Sequence, residues 1–225
     1  GYRRMATGEW NAQNAFSNRW WQYRHVLYVN KFLTVIDNVQ WKIDEETNDL
    51  FKQRMYGEAL AMRALRHFWI LQEHAGEGTS GTLLGVPYIS DFLSFDADFN
   101  LPRPTFQESV ARINAEFEEA LEYLPMDWDG QLSKQPARYS GADADRYQFV
   151  FSNTQDGRIS GRIIKAFQAK LNLLAASPAF LDGAGDYYQQ TANTLAELLN
   201  DNGGVSGLHP TGNTDFYDFT QGTRV

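Results

Sequence analysis

The sequence predicts a mainly α-helical protein in which helical hairpins stack into an array and long irregular loops project from it. Apolar residues recur at spacings of three and four in five segments of the chain, which is the pattern of amphipathic helices. Start and stop signals bracket several of these segments, and no two alternating segments form a convincing β-hairpin. With 225 residues, 43% of them hydrophobic, the chain can bury a sizeable core.

The first two predicted helices are expected to be covered by neighbours. Residues 14–39 carry two apolar stripes, so this helix should be buried on both sides. The stripes are Phe16, Trp20, Tyr23 and Leu27, and Val26, Val29, Leu33 and Ile36. Residues 45–75 form the second helix, which has one face of small residues, allowing close approach of another helix, and one of large residues. The small residues are Gly57, Ala59, Ala61 and Ala64, and the large ones are Met62, Leu65, Phe68 and Trp69.

The third predicted helix lies within LPRPTFQESVARINAEFEEALEYLP at residues 101–125. Thr105 and Glu108 form a capping box, in which the hydroxyl and the carboxylate bind the first free backbone N–H groups. Pro125 ends the helix, because proline disfavours helical geometry at the residue before it. The buried stripe is Phe106, Val110, Ile113, Phe117, Leu121 and Leu124. We expect the glutamates, Glu116 among them, to form a solvated face.

Two more helices complete the prediction, over residues 162–177 and 186–202. Ser160 should cap the first of them, and Gly203 should end the second. The predicted inward residues are Ile163, Phe167, Leu171 and Leu174, and then Ala192, Leu195, Leu198 and Leu199. In order, the helices make two antiparallel pairs and an unpaired fifth, as in a tetratricopeptide-like array. Between them, RYQFVF at 146–151 alternates as a short strand would.

We expect residues 1–225 to be part of a single domain. Its helical scaffold would comprise residues 14–75, 105–125 and 160–202, and its loops residues 76–104, 126–159 and 203–225. The two internal loops exceed ordinary connections, and such loops in a compact domain carry function or are disordered. The unpaired last helix predicts that the chain is a segment of a longer protein.

Composition excludes several kinds of protein. The formal charge is −8 and no basic stripe is present, so we expect no nucleic-acid partner. Without cysteine there is no disulfide framework, thiolate metal site or cysteine nucleophile. No window has the unbroken apolar length of a membrane-spanning helix. Aromatic residues make up 14% of the chain, more than a helical core of this size needs, so some rings should face solvent or a ligand.

No catalytic or cofactor motif stands out, and we expect neither catalysis nor a cofactor. The four histidines belong to no HExxH motif, and no G-x-S-x-G is present. GEGTSG at 76–81 matches a phosphate-loop pattern but follows a helix and opens none. Asp96, Asp98 and Asn100 have the spacing of a calcium loop, yet Leu101 replaces its glycine and Gln107 its glutamate. Calcium is therefore the less favoured alternative to helix capping and loop solvation.

Several ordered segments resemble the SusD/RagB family of Bacteroidetes surface lipoproteins. They are YGEALAMRALRHFWILQEHAG, GVPYIS, LPRPTFQESVARINAEFEEALEYLP and SGRIIKAFQAKLNLLAASPAF, and the resemblance extends roughly over residues 14–202. Family members show a Gly-Val-Pro segment, a Leu-Pro-Arg before the capped helix, a Leu-Pro after it and a Gly-Arg opening the next helix. The matching residues are Gly85, Val86, Pro87, Leu101, Pro102, Arg103, Leu124, Pro125, Gly161 and Arg162.

The resemblance implies a SusD-like helical scaffold that packs beside a TonB-dependent (SusC-like) outer-membrane transporter and binds a glycan, or in a minority of members a peptide. It also implies a lipid-anchored protein exposed on the outer membrane. The family's signal peptide and lipidated cysteine are absent from this sequence, and its members extend further at the C-terminus. This departure again predicts an internal or partial chain.

A sugar presents C–H groups on one face and hydroxyls around its rim, so its site needs a flat aromatic ring beside amides or carboxylates. Two loop stretches have this mixture: GEWNAQN and PMDWDGQ. The predicted ligand-binding residues are Trp10, Asn11, Asn14, Trp128, Asp129, Tyr139 and Tyr147. The alternative is that each tryptophan folds back as a lid over helix ends. Trp20 fits the core stripe, and the neighbouring Trp21 is the better candidate for a partner surface.

These observations favour a non-catalytic cell-surface protein that captures oligosaccharide and delivers it to the transporter. The alternatives are a peptide-capturing member of the same family and a helical-repeat adaptor that binds another protein.

Overall fold

The computed structural model describes residues 6–9, 19–180 and 186–208. Within these ranges the chain forms six α-helices and one small hairpin. The helices are α1 (Gln22–Leu33), α2 (Glu45–His74), α3 (Phe106–Leu121), α4 (Ala144–Phe151), α5 (Gly161–Ala175) and α6 (Tyr187–Asp201), and strands β1 (Gly76–Glu77) and β2 (Leu83–Leu84) pair antiparallel. Short 3-10 turns occur at Arg19–Trp21, Ile36–Asn38, Leu132–Lys134, Ala137–Tyr139, Asn153–Gln155 and Gly204–Gly207.

The helices form the predicted array, and the mainly α fold class is confirmed. Helix α1 packs on α2, α2 on α3, α3 on α5, and α5 on α6, while α4 lies against α2. The prediction of an unpaired last helix is wrong, because α6 packs extensively on α5. Its buried contact is Thr191, whereas Leu195 is half exposed. Gly203 adopts the left-handed conformation (φ 84°) that ends α6 as predicted.

The small residues on one face of α2 allow another helix to pack closely, as predicted. A Cβ atom on Gly57 would lie 2.4 Å from Cβ of Tyr123 and 3.1 Å from Cγ of Leu124. Only a glycine therefore lets α2 approach the end of α3 so closely. Ala61 and Ala64 are fully buried on the same helix.

Helix α3 begins at the capping box, which is confirmed. Thr105 Oγ1 accepts a hydrogen bond from Glu108 N, and the Glu108 carboxylate accepts one from Thr105 N. The predicted apolar stripe is buried at Phe106, Val110, Ile113, Phe117 and Leu124. The prediction of a solvated glutamate face is wrong for Glu116, which is buried and paired with Arg63 of α2.

Three predicted helix details change. Helix α1 is shorter than residues 14–39 in its described part, ending at Leu33. Ser160 occupies the N-cap position of α5 but makes no side-chain capping bond. The buried stripe of α5 runs through Ile164 and Leu171, so Ile163, predicted to face inward, lies at the exposed edge.

The segment predicted as an irregular loop over residues 126–159 is folded into the core. RYQFVF forms most of α4 and is not a strand, because Asp143 Oδ1 accepts from the backbone N–H groups of Asp145 and Arg146 and starts a helix there. Tyr147 and Phe151, one turn apart, stack with ring centroids 4.5 Å apart. Phe149, on the other side of this helix, is exposed.

The Gly-Val-Pro segment is clamped onto α3. A Cβ atom on Gly85 would lie 2.0 Å from Ser109 Oγ, so no larger residue fits here without displacement. Ser109 Oγ in turn accepts from Val86 N (3.1 Å) and donates to Val86 O (3.2 Å). Arg103 adds hydrogen bonds to the carbonyl oxygens of Gly85 (2.8 Å) and His74 (2.6 Å). These contacts fix where the chain crosses from α2 to α3.

The Leu-Pro and Gly-Arg residues form a second clamp, between α3 and α5. Gly161 N donates to Pro125 O at 2.7 Å, and a Cβ atom on Gly161 would lie 3.1 Å from that oxygen. Arg162 donates to both carboxylate oxygens of Asp127 at 2.7 Å. The Arg162 guanidinium holds the pKa of Asp127 below its usual value, so the pair stays charged.

In the described part of the chain, no helix combines the length and apolarity needed to cross a bilayer.

Gly57→Ala tests the close contact between α2 and α3. Helix propensity alone would make alanine stabilising, but the contact with Tyr123 leaves no room for a methyl group. We expect the free energy of unfolding to fall by about 1 to 3 kcal/mol in chemical denaturation. Gly141→Ala is the matched control, since nothing lies within 4 Å of its added Cβ, and it should change stability by less than about 0.5 kcal/mol. A stabilised Gly57→Ala protein would contradict the packing described.

Candidate ligand-binding groove

Three of the residues predicted to bind a ligand lie in the core. Trp128, Tyr139 and Tyr147 are 5%, 2% and 1% exposed. Trp128 stacks on Phe151 and donates from Nε1 to Arg158 O (3.2 Å), and Tyr139 donates its hydroxyl proton to Tyr123 O (2.9 Å). The prediction that they offer ring faces to a sugar is therefore corrected. The alternative of a lid packed on the scaffold describes Trp128.

The other predicted residues fall into two groups. Trp10, Asn11 and Asn14 lie outside the described residues. Asp129 is partly exposed, and its carboxylate accepts from Gln131 N (2.9 Å) and Lys134 Nζ (3.2 Å), which closes the turn after Trp128. Their assignment to a ligand stays a prediction.

The calcium-like segment is engaged in local turns. The Asp96 carboxylate accepts from the Ser94 hydroxyl, and the Asp98 carboxylate accepts from Asn100 N. Among the described residues, no three His, Cys, Asp or Glu side chains are grouped as metal ligands.

A groove of about 400 Å³ lies between α1 and the segment that follows β2. We call it the aromatic groove. Its α1 side is provided by a 3-10 turn and the first two turns of the helix, and its other side by residues 87–101. The lining residues are Trp20, Tyr23, Arg24, Val26, Leu27, Pro87, Ile89, Leu93, Phe99 and Leu101. Arg24 is the one charged residue among them.

Trp20 provides a fixed, accessible ring in this groove. It stacks on His74 with centroids 4.0 Å apart and an interplanar angle of 18°, and it also lies beside Tyr23. The side chain is nevertheless 43% exposed, so the prediction that Trp20 belongs to the core stripe is wrong. Trp21 is 46% exposed and points elsewhere on the helix, with its ring edge-on to His25. A partner for Trp21 stays a prediction.

Side chains from α1 hold the opposite side of the groove in place. Tyr23 donates its hydroxyl proton to Pro87 O (2.6 Å), and burial raises the pKa of Tyr23, which keeps that proton in place. Asn30 donates from Nδ2 to both Ile89 O (3.0 Å) and Asp91 O (2.8 Å). The backbone of residues 87–91, which we call the anchored segment, is thereby fixed to α1.

A buried ion pair supports the anchored segment from below. Arg63 of α2 donates from Nε to Glu116 Oε1 of α3 (2.6 Å), and its Nη2 contacts the same oxygen. Its Nη1 donates to Asn30 Oδ1 (2.8 Å) and to Ser90 O (2.6 Å). Arg63 therefore joins three helices and the anchored segment. Burial raises the pKa of Glu116 to about 7, although the bond from Arg63 acts in the opposite direction.

His67 completes the support as a neutral imidazole. Its Nε2 accepts from Ile89 N (3.1 Å), so the ring proton lies on Nδ1, which donates to Arg63 O (2.9 Å). Full burial lowers the pKa of His67 to about 3, so this arrangement persists at neutral pH. Tyr88 stacks on the ring with centroids 4.0 Å apart.

Beyond the anchored segment, the chain exposes a series of apolar side chains. Phe92, Phe95, Phe99 and Leu101 are 37%, 96%, 60% and 38% exposed. The anchored segment, which is held by hydrogen bonds, is thus followed by exposed phenylalanine rings on the side of the groove opposite Trp20. The sequence signal for this site was the Gly-Val-Pro segment followed by closely spaced phenylalanines. Sequence reasoning missed this signal because it looked for tryptophan beside amides and carboxylates.

A second cleft, of about 580 Å³, lies near the start of α2 and has Trp41, Ile43 and Phe149 in its walls. Lys42 Nζ lies 5.0 Å from the centre of the Phe149 ring. The ammonium group thus lies against the ring that a sugar would use, which makes this cleft the weaker candidate.

Comparison with known proteins identifies relatives of this fold. Residues 3–142 match the model of the SusD-like family described as "Starch-binding associating with outer membrane". None of the curated proteins compared with the chain matches it.

Solved structures of similar fold come from Bacteroides species. A SusD superfamily protein from Bacteroides vulgatus matches with a TM-score of 0.57 and 19% identity over 88% of this chain and 36% of its own. A SusD-like carbohydrate binding protein from the same species matches with a TM-score of 0.52 and 17% identity, over 81% of this chain and 31% of that protein. A SusD superfamily protein from Bacteroides thetaiotaomicron matches with a TM-score of 0.51 and 17% identity, again over 81% of this chain and 31% of that protein. The chain therefore spans about a third of the length of these proteins.

Asn30→Ala tests how the anchored segment is held. The variant removes both bonds to the carbonyl oxygens of Ile89 and Asp91 and one bond from Arg63. We expect stability to fall by about 2 to 4 kcal/mol, and hydrogen exchange at residues 89–93 to rise more than exchange in α5. Asn38→Ala, at an exposed position after α1, serves as the control. Unchanged protection of residues 89–93 would show that Asn30 does not hold them.

Glu116→Gln tests the ionisation of the buried pair. Because the folded-state pKa of Glu116 is raised from 4.5 to about 7, the folded protein binds a proton more tightly than the unfolded chain. Its contribution to stability is fully present below pH 4.5 and is lost as pH rises to about 7. The unfolding free energy of the wild type relative to Glu116→Gln should therefore fall by about 3 kcal/mol between pH 4.5 and pH 7.5. A difference that is constant with pH would contradict this assignment.

Proposed function

The chain belongs to the SusD-like family of starch-binding, outer-membrane-associated proteins, and from this membership we propose that it is a non-catalytic glycan-binding protein of the cell surface. In this proposal it captures oligosaccharide and delivers it to a TonB-dependent (SusC-like) transporter in the outer membrane. The full-length protein would be lipid-anchored and exposed on the cell surface.

The observation that carries glycan binding is the accessible Trp20 ring on the wall of the aromatic groove. Its stacking on His74 holds the indole in one orientation, so little conformational freedom is lost when a ligand covers it. A pyranose can place its C–H face on such a ring. Arg24, one helical turn further along, offers N–H donors for the hydroxyl or acidic groups at the sugar's rim. The groove thus offers a saccharide both a flat ring and a hydrogen-bond donor.

One observation favours the peptide-capturing alternative. Nine of the ten residues that line the aromatic groove are uncharged, and most are apolar, as in grooves that take apolar side chains of a peptide.

Titration with panels of oligosaccharides and peptides distinguishes a glycan ligand from a peptide ligand. Co-purification from detergent-solubilised membranes separates both from the adaptor hypothesis, since an adaptor would emerge with soluble partners alone.

Trp20→Ala tests the stacking role directly. Loss of the ring should weaken oligosaccharide binding by about 1 to 2 kcal/mol in isothermal titration, while Trp20→Phe should retain much of the affinity. Trp21→Ala is the matched control, because this neighbouring indole is similarly exposed but projects about 120° away around the 3-10 turn. Equal losses in both alanine variants, or a loss explained by a large fall in Tm, would contradict a sugar platform at Trp20.

A further inference from the structure

Arginines in this protein divide into two groups by what they contact. Among the described residues, five form ion pairs with carboxylates: Arg54 and Arg158 with Glu58, Arg63 with Glu116, Arg146 with Asp44, and Arg162 with Asp127. Their positive charges are largely balanced within the fold. The arginines near the aromatic groove are held differently.

Arg24 and Arg103 retain their charge near the aromatic groove. Among the described residues, no carboxylate lies within ion-pair distance of Arg24, which is exposed on the groove wall. Arg103 is held by backbone carbonyl oxygens of His74, Leu84 and Gly85, which orient it but carry no net charge. Burial raises the pKa of Tyr23, and the positive charge of the nearby Arg103 partly opposes that increase.

The pKa of His25, which is next to Arg24 in the sequence, is also affected by the positive charge in this region. The pKa of His25 is lowered, first by partial burial and then by the positive charges of Arg66 and Arg24. Arg66 is bonded to the neutral Gln22 Oε1 at 2.9 Å. Cations with neutral partners thus flank α1, although the whole chain has a formal charge of −8.

From this arrangement we infer that the ligand of the aromatic groove is an acidic oligosaccharide, whose carboxylate or sulfate group pairs with Arg24 while a sugar ring stacks on Trp20. The inference rests on the proposed function and specifies its ligand class. None of the ten described lining residues is acidic. Asp91, Asp96 and Asp98 are exposed on the segment that forms one side of the groove, but they are not among the residues that line it.

The geometry at the start of α1 supports simultaneous contact. Trp20 lies in the 3-10 turn that precedes α1, Arg24 lies in the first turn of α1, and both side chains line the wall of the groove. A guanidinium presents a planar set of donors that suits a carboxylate or sulfate. A sugar with an acidic substituent can therefore meet the ring and the cation without any rearrangement of the backbone.

Isothermal titration of the full-length protein with matched ligand pairs tests the inference. Oligogalacturonates are compared with their methyl esters, which keep the backbone and lose the charge, and sulfated galactan oligosaccharides with desulfated ones. The two pairs distinguish a carboxylate ligand from a sulfate ligand, and maltooligosaccharides provide a neutral reference. We expect at least one acidic ligand to bind about tenfold more tightly than its neutral partner, and to lose that advantage at about 0.5 M salt.

Variants assign the preference to one residue. Arg24→Gln should weaken binding of the acidic ligand about tenfold, which is more than it weakens binding of the neutral partner, and Arg24→Lys should restore part of the loss. Lys170→Gln, an equal change of net charge on exposed α5, is the control and should have no effect.

Three outcomes would overturn the inference. Equal binding of acidic and neutral oligosaccharides, unaffected by Arg24→Gln, would reject the acidic ligand and leave glycan capture intact. Binding of acidic peptides alone would reject the saccharide. Absence of binding to any glycan or peptide would reject the proposed function together with the inference.

Discussion

The buried ion pair between Arg63 and Glu116 determines how the first half of this structure is arranged. A guanidinium in the middle of a helix interface is stable only if nearly all its donors find acceptors. Arg63 meets this requirement with Glu116 of α3, Asn30 of α1 and the Ser90 carbonyl. Any shift of α1 or α3 along α2 would leave a buried charge unpaired. The pair therefore fixes the relative positions of three helices and, through Ser90, the wall of the aromatic groove.

Local sequence signals were sufficient for the helical framework. The capping box at Thr105 and the small side chains around Gly57 act within one helix or one close contact, and a single sequence contains that information. The partner of Glu116 is different, because Arg63 lies 53 residues away. Within EFEEAL a glutamate is expected to be solvated, and only the approach of α2 changes that. The same limit explains Trp128: it packs on Phe151 of α4 and donates to the carbonyl oxygen of Arg158, which lies between α4 and α5 and 30 residues from Trp128.

The residues that carry the family resemblance have structural functions. Gly85 allows the chain to lie on Ser109, Arg103 binds three carbonyl oxygens, and Gly161 with Arg162 joins α3 to α5. None of these needs a ligand to explain it. The ordered motif could therefore predict the fold, and of the residues that line the aromatic groove it contains only Pro87 and Leu101. Trp20, Arg24 and Phe99 belong to no such motif, so their position in one groove became apparent only from the structure.

The anchored segment explains how such a scaffold can serve different ligands. Its backbone groups at Pro87, Ile89, Ser90 and Asp91 are bound by side chains of α1 and α2, so its course depends on the helices and not on its own outward side chains. Side chains of residues 87–101 that line the groove can then change without loss of these hydrogen bonds, whereas Tyr23 both lines the groove and holds Pro87. Since the backbone acceptors are already occupied, recognition must come from side chains. In this chain those are a fixed indole, exposed phenylalanines and an arginine without an acidic partner among the described residues. Ligand choice is thereby separated from stability, and a change of specificity requires substitutions only on the groove surface.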